Sequence, residues 1–208
     1  MGIVWNKGMN EMKEMKEISE IKKDLKEKLS KKRYEHTMGV MYTAASMAMC
    51  FGVNVEQAML AGLLHDCAKY LSDKEKLSAC KKYKLEITPL EQENKELLHA
   101  KIGAAFARDL YGVKDEEVLN AIRWHTTGKP DMTPLEEIIF IADYIEPNRK
   151  QLPGMEQIRF LAFHNLTDCI VQIIENTLQY LEGKKSLVDT SSRTTYEFYK
   201  QKQESEHE

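Results

Sequence analysis

Six histidines are spread along the 208 residues. Four of them, His36, His65, His99 and His125, fall with Asp66 and Asp143 in apolar stretches or near expected helix ends. His65 and Asp66 are neighbours inside LAGLLHDCAKYL, the most apolar stretch of the chain, and Asp143 sits inside IIFIADYI. A lone histidine on an apolar helix is ordinarily a hydrogen-bonded core residue. A buried aspartate is different, because it costs several kcal/mol unless it is paired or bound to a metal. Two such aspartates, each with a helix-borne histidine in reach, point to one site. Imidazole with carboxylate suits Zn, Fe, Mn or Co. Cys50, Cys67, Cys80 and Cys169 form no Cys-x-x-Cys pair, which argues against structural zinc and a thioredoxin-type motif. Such a centre can act as a Lewis acid and activate water. Arg33, Lys69 and Arg149 stand beside these residues in sequence and offer fixed positive charge to an anionic substrate. Lys69 follows Asp66 by three positions and so shares its helix face. Thr126 and Thr127 offer hydroxyls at the mouth of the site or, equally, a helix end and turn. There is no P-loop, no GxGxxG after a strand, and no serine or cysteine nucleophile motif.

The elements that must position these residues read as helices. Apolar residues recur every three or four positions, with no convincing period-two strand and no internal repeat. A single apolar stripe runs over 9–29, followed by helices over 37–51 (stopped by Gly52), 56–71 (buried nearly all round) and 73–83 (capped at Ser72/Asp73). Thr88-Pro89 breaks the pattern. Further helices are expected over 96–111, 115–125, 134–145 (opened by Pro134) and 155–182. The expected fold is therefore all-α, a single-domain helical bundle. The expected division is an N-terminal extension over 1–16, disordered; a helical domain over 17–195; and a polar tail over 196–208 whose last eight residues are disordered.

Composition narrows the function. Apolar residues make up 42% and charged residues 30%, an ordinary soluble mixture, and the net charge of −3 argues against nucleic-acid binding through a broad basic field. Ten Lys/Arg against six Asp/Glu in the first 33 residues read as a solvated helix face. No run approaches the ~18 apolar residues of a membrane span. Neither a signal peptide nor a lipid-anchor motif is seen, so reduced thiols and a cytoplasmic location are expected.

The order of the chemical residues carries a resemblance. His36, His65-Asp66 and Asp143, with His99 and His125 between, resemble the HD superfamily of metal-dependent phosphohydrolases, and HDCAK looks like its His-Asp-x-x-Lys segment. RYEHT (33–37), LLHDCAKYL (63–71), LLHAKIGA (97–104), RWHTTG (123–128) and DYIEPNR (143–149) are similar, in that order, to the YqeK-type branch, which is associated with symmetrical diadenosine tetraphosphate hydrolysis. The resemblance covers about residues 20–195. It implies that His36, His65, Asp66 and Asp143 hold a metal ion. His99 and His125 would then hold a second ion with Asp66 bridging, or would hydrogen-bond phosphate. It implies iron as the metal, one or two ions, with Mn or Co as alternatives. Asp66, Lys69, His99 and His125 would act in catalysis. Arg33, Lys69, His99, His125, Thr126 and Arg149 would contact a small-molecule nucleotide. Neither nucleic acid nor membrane is an expected partner, and a homodimer is compatible with the pattern. The rivals are a nucleoside monophosphate phosphatase on the same scaffold and a non-catalytic nucleotide or metal sensor.

Overall fold

The computed structural model describes residues 15–152, 154–184 and 189–207. The extension expected over 1–16 lies, apart from Met15 and Lys16, outside these residues. The described residues form helices and turns only, in keeping with the all-α expectation. In chain order the helices are α1 (Ile18–Lys28), α2 (Lys31–Phe51), α3 (Val55–Leu64), α4 (Asp73–Tyr83), α5 (Pro89–Glu93), α6 (Leu98–Tyr111), α7 (Glu116–Trp124), α8 (Pro134–Ile145), α9 (Met155–Leu161), α10 (Leu166–Gly183) and α11 (Thr190–His207). A short 3₁₀ turn, Lys95–Leu97, leads into α6. None of the described helices is long and apolar enough to cross a membrane.

Local chemistry explains where the helices start. Ser72, Thr88 and Thr133 each accept from a backbone N–H three residues on, and Glu75, Glu91 and Glu136 reach back in three capping boxes. Pro89 and Pro134 occupy first-turn positions, where their missing N–H costs nothing. Helix α2 begins six residues earlier than its apolar run suggests, because the Ser30 side chain accepts from Arg33 N–H and caps it there. That early start brings Arg33 and His36 onto the helix.

Three expectations are corrected. The helix expected over 56–71 ends at Leu64. Residues 65–71 continue as tight turns, with Cys67, Lys69 and Leu71 donating to carbonyls only three residues back. The helix expected over 155–182 is two helices, since His164 N–H and Asn165 N–H both return to Leu161 O and Asn165 then caps α10. The polar tail expected over 196–208, with its last eight residues disordered, is helical through His207. It is anchored because Tyr199 is fully buried and its hydroxyl donates to the buried Glu137 carboxylate at 2.7 Å, while Gln203 and His207 reach Asp168.

The functional part of the fold is a central group. Helix α2 packs on α3 and α8, α7 packs on α3, α6 and α8, and the apolar residues between them are closed to solvent. One end of this group carries all the histidines singled out above.

Candidate active site

The helix ends deliver the imidazoles. His65 ends α3, His125 ends α7, and His99 lies in the first turn of α6. Each ring turns back on its own chain: His65 Nδ1 lies 2.7 Å from Gly62 O and His125 Nδ1 2.7 Å from Ile122 O, while His99 Nδ1 contacts Glu96 O. A helix end leaves carbonyls unpaired, and these rings satisfy them. The same bonds assign the proton of each neutral ring to Nδ1, so Nε2 presents a lone pair. His36, on α2, follows the rule with a carboxylate: its Nδ1 donates to Glu146 Oε1 at 3.0 Å.

Four Nε2 lone pairs and two carboxylates therefore converge. His36 Nε2 lies 2.9 Å from Asp143 Oδ1, 3.3 Å from His65 Nε2 and 3.8 Å from Asp66 Oδ2. His65 Nε2 lies 3.4 Å from Asp66 Oδ2 and 3.7 Å from Asp143 Oδ1. On the other side of the same carboxylate, Asp66 Oδ1 lies 3.2 Å from His99 Nε2 and 3.9 Å from His125 Nε2, which are 3.1 Å apart. Acceptors facing acceptors at these distances repel unless a cation stands among them. Ligand atoms about 2.1 Å from one ion lie roughly 3.0–3.4 Å apart in octahedral or tetrahedral geometry, and five of these eight distances, 2.9–3.4 Å, fall at or close to that span. Two groups have this character, His36 with His65 and Asp66, and Asp66 with His99 and His125; Asp66 belongs to both. No cysteine takes part, so the nitrogen and oxygen set suits Fe, Mn or Co as well as Zn.

The electrostatics match. Burial works against the Asp66 charge, yet His65 and His99 outweigh it and hold the carboxyl well below its usual range. Asp143 is likewise lowered, its burial outweighed by the neighbouring His36 ring and then by the charge of Arg149. Burial, then the charges of His65 and His99, push His125 down to about 3, which keeps that ring neutral. His65 is raised: burial opposes its charge, but Asp66 and then Asp143 prevail.

Three cations border the cluster, each where the sequence placed a candidate. Arg33 donates to Asp66 Oδ2 at 2.7 Å. Arg149 donates to Asp143 O at 2.7 Å and to Asp143 Oδ1 at 3.0 Å. The Lys69 ammonium lies 3.3 Å from the His99 ring and 3.5 Å from Glu96. Each arginine keeps further N–H donors for a ligand. Thr126 Oγ1 lies 3.1 Å from His125 Nε2, while Thr127 turns away and donates to Gly128 O.

Glu146 was not singled out from the sequence. It is 1% exposed, 110 positions from His36, and its second oxygen accepts from Asn148 N–H at 2.7 Å. Gly39 on α2 makes room for it, since a Cβ there would meet Glu146 Oε2 at 2.3 Å. The signal was a carboxylate before Pro147 at the end of an apolar helix.

Comparison with known proteins identifies the family. A family model described as the HD domain matches residues 33–148. Proteins named symmetrical bis(5'-nucleosyl)-tetraphosphatase are 42% identical in Halalkalibacterium halodurans and 41% in Bacillus subtilis, each match covering 83% of this chain and 91% of the relative. The protein of that name in Staphylococcus aureus is 38% identical, over 84% of this chain and 90% of its own length. A crystal structure from Clostridium acetobutylicum, described as a predicted HD superfamily hydrolase involved in NAD metabolism, superposes with a TM-score of 0.88 at 35% identity, covering 91% of this chain and 100% of that one. With its family-model match spanning the whole histidine–aspartate cluster, the chain belongs to the HD domain family, in the branch that holds these relatives.

Proposed function

We propose that this chain is a metal-dependent phosphohydrolase that cleaves dinucleoside polyphosphates, converting diadenosine tetraphosphate and water to two ADP. The observation that carries the reading is the convergence of four imidazole lone pairs and two carboxylates, bordered by three cations. His36, His65, Asp66 and Asp143 form one ligand set; Asp66, His99 and His125 form a second. The second set, with no ion in it, would instead face substrate phosphate. Divalent metal, when bound, supplies Lewis acidity and makes water more acidic. Iron is the metal the family resemblance favours, with Mn and Co suited to the same donors.

The chain's own residues do the rest. Arg33, Lys69 and Arg149 neutralise the oxygens of the phosphate chain, where charge builds as the bridging P–O bond breaks. Thr126 stands at the mouth with a hydroxyl free to rotate toward phosphate. Glu146 fixes the His36 ring, and the backbone carbonyls of Gly62, Ile122 and Glu96 fix the other three. The names of the relatives support symmetrical cleavage. Four free cysteines suit a reducing cytoplasm.

The test is a nucleotide panel given to protein stripped by chelator and reloaded with Fe, Mn or Co. The expected result is metal-dependent conversion of diadenosine tetraphosphate to ADP alone. Phosphate release from AMP with the tetraphosphate untouched would favour a monophosphatase. ATP and AMP in equal amounts would mean asymmetric cleavage.

A further inference from the structure

A cavity of about 360 Å³ opens beside the site, walled by the 84–88 turn, α6, the end of α7 and the start of α11. Its size falls in the range of small-molecule pockets. Thr126 belongs to both places: it lines the cavity, and its hydroxyl lies within hydrogen-bond reach of His125. The cavity therefore begins one side chain away from the candidate metal ligands.

Its walls carry the chemistry of nucleoside recognition. Trp124 presents a partly exposed indole, with Leu97 and Ala100 as further apolar lining. Arg123 adds a guanidinium that has no hydrogen bond or ion pair among the described residues. Lys101 is already committed, to Glu91 at 2.6 Å and to Glu86 O at 2.9 Å. Ser191 contributes a hydroxyl from α11. That wall is fixed in place. Thr195, fully buried on α11, donates to Ser191 O at 2.6 Å within the helix, and its hydroxyl oxygen also lies 3.4 Å from Thr127 O. Gly128, at φ +65°, packs so closely that a Cβ there would lie 2.8 Å from Thr195 Cγ2.

We propose that this cavity is a nucleoside subsite, in which Trp124 stacks on one purine of the dinucleotide and Arg123 meets the phosphate nearest to it. The proposal rests on the dinucleoside polyphosphate reading above and deepens it. Symmetrical cleavage requires attack at one of two central phosphorus atoms. A site that held only the phosphate chain would let the chain slide and would yield mixed products. Anchoring one nucleoside a fixed distance from the metal ligands sets the register. It also gives the C-terminal helix a role, as the far wall of the subsite.

The chain has two tryptophans, so Trp5→Phe leaves Trp124 as the only one. ADP added to the metal-loaded Trp5→Phe protein should quench Trp124 emission. Pyrophosphate should inhibit without quenching. Trp124→Ala should raise KM for diadenosine tetraphosphate about 5- to 150-fold, the span expected for loss of one base stack, with a smaller change in kcat. Trp124→Phe, which keeps an aromatic face, should recover most of the loss, and it stands in if the alanine variant does not fold. Inhibition by ADP with unchanged emission, equal quenching by pyrophosphate, or a KM within twofold of wild type in Trp124→Ala would overturn the subsite while leaving the hydrolase reading intact. Failure of the wild type to cleave the tetraphosphate would instead overturn the activity, and the ADP quench would still decide the subsite.

Discussion

Replacing Glu146 should weaken metal binding although Glu146 belongs to neither ligand set itself. Its carboxylate accepts from His36 Nδ1 at 3.0 Å, which sets the tautomer and points Nε2 at Asp143 and His65. A hydrogen bond to a charged group is worth about 1.5–3 kcal/mol. If all of it bears on the metal-bound state, Glu146→Ala lowers affinity roughly 10- to 150-fold, which overlaps the 10- to 100-fold usual for partners of metal-bound histidines. The Asn148 N–H also loses its partner, but it does so with and without metal, so that part cancels. Glu146→Gln keeps an oxygen for His36 and forfeits the charge; its NH2 then faces Asn148 N–H, a loss that is the same with and without metal. A neutral bond retains about 0.5–1.5 kcal/mol, so the expected loss is roughly fivefold. The assay is competition for Mn between protein and a chelator of known affinity, with thermal melting as the control for folding. Wild-type affinity in a folded Glu146→Ala protein would refute the orienting role of the carboxylate.

Other outcomes follow from the same geometry. Arg149→Ala should cut kcat/KM for diadenosine tetraphosphate about 10- to 150-fold and leave metal content intact, measured by steady-state kinetics and metal analysis. Tyr199→Phe removes the hydroxyl that donates to buried Glu137. At about 1–3 kcal/mol, and roughly 2–4 °C per kcal/mol for a chain of this size, Tm should fall about 2–12 °C; no change in calorimetry would mean that α11 is not held this way. Cys50 is exposed, whereas Cys67, Cys80 and Cys169 are buried, and burial together with the Asp66 charge pushes the Cys67 thiol up. A thiol reagent should therefore titrate one cysteine in the native protein and four after unfolding.

The helix starts at 73 and 134 were legible from the Ser72 cap and from Pro134, because that chemistry is local, whereas the side-chain caps at Ser30 and Asn165 were missed inside or ahead of continuous apolar patterns. Gly52 marked a helix end for the same reason: it takes positive φ, as Gly112 does at the end of α6. The break after Leu64 was hidden, because the apolar run continues through it. Only the structure shows the His65 ring on Gly62 O and the tighter backbone bonds that follow. The last helix was hidden too. Its sequence is polar, and it is held by Glu137 and Asp168 from distant helices. Within the site, the histidines, aspartates and cations were recognisable by type and order, and the fold brings them together. Glu146 and the Trp124 cavity depend on residues far apart in the chain, so no local pattern announces them.

Asp66 stands at the centre of the site, with one oxygen toward His36 and His65 and the other toward His99 and His125. Metal content per chain, measured by elemental analysis on wild type and on Asp66→Ala, tests that arrangement most directly. Loaded wild type should carry one or two divalent ions. Asp66→Ala should carry none above trace while keeping its helical circular dichroism, because both ligand sets lose their shared carboxylate. Full metal content in folded Asp66→Ala would contradict a metal centre built on this residue.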